Sequence, residues 1–251
     1  MACSGPQKLD TQNVDGANKA SAIVGGTTVK SGTVIAQSVV MLINRVTTEI
    51  CTASLIDNQF AITAAHCVDI AHPGNMYLFF DVQAQGTSPR RQVISVQVSP
   101  YWSTSDSRPD NRGDIAIVRY SGGLAKGYTG SLLLNGDALL HNNADVILAG
   151  YGVTDNNTRV GAGTLRMTTV KISDSDYSET EVAVDQTQGK GSCHGDSGGP
   201  AYIFTGGKYY LWGVTSGGIA TDNCNETAAY TKIDIYLPWM QETMQEMKAA
   251  N

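Results

Sequence analysis

The stretch GKGSCHGDSGGPAY, Gly189 to Tyr202, sets five glycines, a cysteine, an acid and two serines ahead of an apolar run. Glycine and serine weaken a strand, and such a cluster marks a tight turn or a place where backbone approaches another group closely. A Gly/Ser linker does not account for one acid and one serine set between Cys193 and Gly198-Gly199-Pro200. The stretch therefore reads as a turn that leaves the Ser197 hydroxyl accessible, and the rest of the chain decides what that hydroxyl is for.

At 251 residues the chain is long enough to bury a substantial core, as one large β domain or two lobes. It is 41% hydrophobic and only 16% charged, which says folded; 27 glycines between short apolar runs favour a turn-rich β protein. A net charge of -6 with no basic stripe argues against a nucleic-acid partner. No apolar run reaches membrane-spanning length, and none precedes Cys3 as a signal core, so the chain reads as a processed or recombinant form.

The five cysteines, Cys3, Cys51, Cys67, Cys193 and Cys224, lack C-x-x-C spacing, and the four histidines form no metal-ligand motif, so no metal is expected. Two disulfides with Cys3 left over is the simplest arithmetic, and it implies an oxidising compartment. Cys3 reads equally as the lipid-bearing first residue of a surface-anchored bacterial lipoprotein or as an unpaired tail cysteine. Residues 1–22 are polar and without periodicity, and read as a leader.

Structure is expected from Ile23. Strand candidates are Val39–Ile43, Thr52–Ile56, Tyr77–Phe80, Val93–Val98 and Ile115–Tyr120, then, after the glycine-rich crossing Ser121–Gly130, Val146–Ala149, Leu165–Ile172, Tyr209–Thr215 and Ala229–Ile233. Two β lobes follow naturally. The tail is helical in pattern: Pro238 suits a first turn, and Met240, Met244 and Met247 fall on one face as packing residues.

Two further stretches carry chemistry. AITAAHCVD, Ala61 to Asp69, presents His66 where an apolar strand end meets small residues, and RGDIAIVRY places Asp114 at the start of an apolar strand. Taken singly, the first is a core histidine and the second a turn acid. With Ser197 they are what acyl transfer requires, because a serine hydroxyl is a poor nucleophile until an imidazole takes its proton, and the imidazole needs a carboxylate to fix its tautomer.

IVGG at Ile23–Gly26, TAAHC at Thr63–Cys67, DIAIV at Asp114–Val118 and GDSGGP at Gly195–Pro200 resemble the chymotrypsin/trypsin family of serine proteases. The order His, Asp, Ser is that family's and not the order of subtilisins or α/β-hydrolases. The resemblance implies an all-β fold of two Greek-key six-stranded barrels packed face to face: a first barrel at about 23–125, a second at about 126–236, and a C-terminal helix at 237–251. It implies a serine endopeptidase without cofactors, acting as a monomer on protein or peptide substrates, open to protease inhibitors, and secreted or held at the cell surface.

By the same resemblance His66 is general base and then acid, Asp114 orients it, Ser197 is the nucleophile, and the N–H groups of Gly195 and Ser197 form the oxyanion hole. Cys51 pairs with Cys67, and Cys193 with Cys224. The resemblance also implies a zymogen whose cleavage before Ile23 frees its ammonium to pair with Asp196. The specificity pocket falls to Gly191, where trypsin-like members carry an acid, with Ser216, Gly217, Gly218 and Ala228 as walls. That makes it open, uncharged and apolar, suited to Phe, Tyr, Leu or Met. His194 at its mouth is either a solvated rim residue or an attractor of acidic side chains. A binding protein that kept the fold without the activity is the rival, opposed by the intact trio; a latent protease acting through partners rests only on the uncut leader.

Overall fold

The computed structural model describes residues 23–102, 113–220 and 223–250. The leader, with Cys3, lies outside the described residues. Twelve strands make two closed barrels. The first comprises β1 (Val39–Asn44), β2 (Ile50–Leu55), β3 (Phe60–Thr63), β4 (Met76–Phe79), β5 (Arg90–Val98) and β6 (Ala116–Tyr120). All pairings are antiparallel, in the order β1-β2-β3-β6-β5-β4, and β4 closes onto β1. The second comprises β7 (Asp145–Gly150), β8 (Arg166–Asp174), β9 (Glu181–Asp185), β10 (Pro200–Thr205), β11 (Lys208–Gly218) and β12 (Ala228–Lys232). Its order is β7-β8-β9-β12-β11-β10, with β10 closing onto β7. The two halves thus share one Greek-key connectivity, and closure removes the open edges that would invite aggregation.

Burial on both faces explains why several strands read as continuous apolar runs. In β1, Val40 and Leu42 point into the first barrel with Ala53, Leu78 and Val118, while Val39 and Met41 point into the layer between barrels with Phe60, Ile62 and Tyr151. A strand with no solvent face has no reason to alternate in polarity. The barrels are also joined by polar contacts: the buried Tyr151 hydroxyl donates to the carbonyls of Val39 (3.2 Å) and Asp81 (2.8 Å).

Three strands, β3, β9 and β10, are missing from the strand candidates of the sequence reading, and β3 shows there only as the apolar strand end ahead of His66. EVAVD is short and bracketed by acids, and β10 opens on Pro200, a residue tolerated only where no ladder donor is needed, as at a strand's first position. The C-terminal helix spans Leu237–Ala249, with Met240 and Met247 buried in the layer between barrels. Arg119 of β6 donates from its guanidinium to the Met247 carbonyl, fastening the helix to the first barrel. Disulfides join Cys51 to Cys67 and Cys193 to Cys224, closing separations of 16 and 31 residues, each worth about 3 to 4 kcal/mol by the loop-entropy argument.

Candidate active site

His66 follows the end of β3 in a one-turn 3-10 helix, Ala65–Cys67. Ala64 and Ala65 are buried and Cys67 is tied to β2 by its disulfide, so the imidazole is mounted on a fixed backbone. Asp114 stands just ahead of β6 and is 2% exposed. The His66 ring donates from Nδ1 to Asp114 Oδ2 at 2.7 Å, and the His66 backbone N–H donates to Oδ1 at 3.1 Å. Because an ionised carboxylate only accepts, Nδ1 carries the proton and Nε2 keeps its lone pair. A third donor, Ser216 Oγ, reaches Asp114 Oδ2 at 2.7 Å. A buried carboxylate is costly unless so satisfied.

Ser197 sits in a turn with Gly195 at φ +95° and Gly198 at φ +76°, backbone that side chains resist. Space demands glycine at 198 as well: a Cβ there would lie 2.0 Å from Thr63 Oγ1. The turn is therefore pressed onto the first barrel, where Thr52 donates from its N–H to the Ser197 carbonyl (2.8 Å) and from Oγ1 to the Gly195 carbonyl (2.9 Å). The N–H groups of Gly195 and Ser197 make no bond to a protein acceptor among the described residues. His66, Asp114, Gly195 and Ser197 all line one cleft of about 790 Å³ between the barrels.

Asp196 points the other way, into the protein, and is 1% exposed. Gly152 N–H donates to its Oδ1 (2.7 Å) and Cys193 N–H to its Oδ2 (2.8 Å). Burial pushes its carboxyl up to about 7, against the opposing pull of those two donors and of Arg166. Gly150 and Gly152 leave the room it occupies, since a Cβ at either would come within 2.2 Å and 2.6 Å of the carboxyl group. Ile23 is fully buried in the second-barrel core at φ +53°, and the Gly191 N–H donates to the Val24 carbonyl at 3.0 Å, so the IVGG segment lies against the stretch that leads into the Ser197 turn.

A pocket of about 70 Å³ opens beside Ser197, lined by His194, Gly217, Gly218 and Ala228 as read from the sequence, and also by Gln186, Ser192 and Asn223. Gly191 does not face it, because the buried Gln186 amide lies over that glycine. Ser216 is a wall of the main cleft rather than of this pocket, with its hydroxyl spent on Asp114. The sequence carried no signal for Gln186, one of two glutamines in the polar run QTQGKG. His194 Nε2 lies 2.9 Å from Asn156 Oδ1. Cys51, His66 and Cys67, and likewise Cys193, His194 and Cys224, cluster closely enough to suggest metal ligands. In both groups the sulfurs are spent in a disulfide, so no thiolate is offered.

No helix among the described residues is long and apolar enough to cross a membrane. Chymotrypsin-like elastase family member 1 of Homo sapiens is 29% identical over 222 residues, covering 77% of this chain and 81% of the relative. The proteins of the same name from Felis catus (27%) and Macaca fascicularis (29%) each match over 77% of this chain and 78% of their own length. The family model described as Trypsin matches residues 23–240, so the chain belongs to the trypsin family and is a serine endopeptidase.

Proposed function

We propose that the chain hydrolyses peptide bonds through Ser197, His66 and Asp114 by way of an acyl-enzyme. The observation that carries this is the 2.7 Å bond from His66 Nδ1 to the buried Asp114, which presents Nε2 as a base in the cleft that also holds Ser197. Nε2 takes the Ser197 hydroxyl proton as Oγ attacks the scissile carbonyl carbon. The resulting oxyanion is held by the N–H groups of Gly195 and Ser197, an arrangement worth about 3 kcal/mol per donor in other proteases. Collapse breaks the C–N bond as His66 returns the proton to the leaving amine. Water then attacks the ester with the same base, releasing the acid and restoring Ser197. A fluorophosphonate should label Ser197 in the folded chain; a folded chain that stays unlabelled after exposure of Ile23 would refute this reading.

The protein is secreted, in keeping with its two disulfides, and is made as a zymogen cut before Ile23. Two features support the cut. A buried Asp196 carboxyl pushed up to about 7 would be relieved by an ammonium partner. In addition, φ +53° at the β-branched Ile23 is strained, by roughly 1–3 kcal/mol. That torsion exists only while residue 22 is attached, so cutting the bond abolishes it.

A further inference from the structure

We infer that Gln186 is the floor of the specificity pocket, and that it limits the residue before the scissile bond to small uncharged side chains such as Ala, Val and Thr. This rests on the peptidase reading above. A Cβ built on Gly191 would meet Gln186 Cδ at 2.3 Å, Oε1 at 2.4 Å and Cγ at 2.5 Å, so the volume vacated by the missing side chain at 191 is filled from another segment. Gln186 is 2% exposed and its amide is tied on both sides. Oε1 accepts from Ser192 N–H (2.6 Å) and Ser192 Oγ (2.9 Å), and Nε2 donates to the carbonyls of Ser192 (3.3 Å) and Cys224 (3.4 Å). The Tyr230 hydroxyl completes the network by donating to Ser192 Oγ at 2.8 Å.

Swinging Gln186 aside would orphan several buried polar groups, each costing about 1–3 kcal/mol, so the floor is rigid. The walls Gly217, Gly218 and Ala228 carry little or no side chain, so depth and not width is limiting. What remains beside Ser197 is small, about 70 Å³ against about 790 Å³ for the main cleft. A benzyl group or a long chain meets the amide before its own backbone can settle at Ser197, whereas a side chain of one to three heavy atoms fills the space. The amide's hydrogen-bonding capacity is spent on protein, which leaves the floor no counter-charge for Arg, Lys or Glu. At the mouth, His194 Nε2 is engaged with Asn156. The large apolar residues expected from Gly191 are thus excluded by a residue five positions upstream of it in sequence.

The test measures kcat/KM on matched peptides differing only before the scissile bond, using the full chain cut before Ile23, with fluorophosphonate titration counting competent Ser197. The unaltered chain should cut after Ala, Val or Thr at least about tenfold faster than after Phe or Arg. Gln186→Ala should raise the Phe-to-Ala ratio by about tenfold or more, the scale on which pocket volume discriminates. Gln186→Asn, which keeps the amide one methylene shorter, should move the optimum toward Leu. Preference of the unaltered chain for Phe, Tyr, Arg or Glu would overturn the proposal even if both variants failed to fold. So would a Gln186→Ala protein that titrates fully with an unchanged ratio. An unaltered chain that does not label defeats the peptidase reading and this one with it; labelling with the wrong profile defeats this one alone.

Discussion

The two barrels have the same strand order but carry their share of the site in different ways. The first barrel supplies His66 and Asp114 from positions next to regular strands, on backbone held by buried alanines, a disulfide and β6. The second supplies Ser197, its N–H groups and the pocket from a loop with two glycines at positive φ, held by the buried Asp196 carboxyl. Under the zymogen proposal, identical topology yields a rigid half and a conditional half. The difference lies in the loops, because closed barrels leave strand interiors no freedom to specialise. In the proposed zymogen, only the conditional half needs to switch.

That contrast breaks if the halves do not act as one unit. Ser197→Ala and His66→Ala should each lower kcat by about four to six orders of magnitude, and the double variant should be no worse than either alone. Pre-steady-state assay of all three proteins checks this; losses that multiply would mean the base and nucleophile work independently.

The next largest effect is expected from the N-terminus. Exposing Ile23 should raise kcat/KM by about 10²- to 10³-fold, the scale of completing a buried ion pair, and Asp196→Asn should abolish the gain. The check is activity alongside N-terminal sequencing of the same sample before and after assay. A full chain that is as active as the cut one while remaining unprocessed would make both halves rigid.

Stability against pH sharpens the comparison without catalysis. In the uncut chain Asp196 holds its proton up to about 7, well above its ordinary 3.8. Between those values the native state binds a proton that the unfolded state has released, so stability is full below about 4 and falls as pH rises toward 7. Urea unfolding of the uncut Ser197→Ala chain should show this loss, on the order of a few kcal/mol. Asp196→Asn should flatten the slope, as should exposure of Ile23, whose ammonium brings the carboxyl back down. A slope unchanged in Asp196→Asn would place its origin elsewhere.

The smallest effect tests the hydroxyl by which the second barrel reaches the Asp114 carboxylate. Ser216→Ala removes one of three donors to the Asp114 carboxylate. It should cost about 1–2 kcal/mol, roughly tenfold in kcat, with KM nearly unchanged. A change confined to KM would return Ser216 to the substrate wall where the sequence reading had placed it.

From sequence alone, the two β lobes, the family and most strands could be read, and the proposed trio His66, Asp114 and Ser197 could be picked out. Each of those rests on a local signature: small residues around His66, glycines around Ser197, and apolar runs between turn residues. β9 and β10 escaped because strand pairing and burial, not propensity, make strands of EVAVD and PAYIFT. Tertiary structure decided the meeting of groups far apart in the chain: the Ser216 hydroxyl on Asp114, the backbone donors on Asp196, and the Gln186 amide over Gly191. A glycine at 191 says only that its own side chain is missing. Whether the space stays empty depends on which other segment packs there, and interiors close-packed to the density of organic crystals rarely leave such space unfilled.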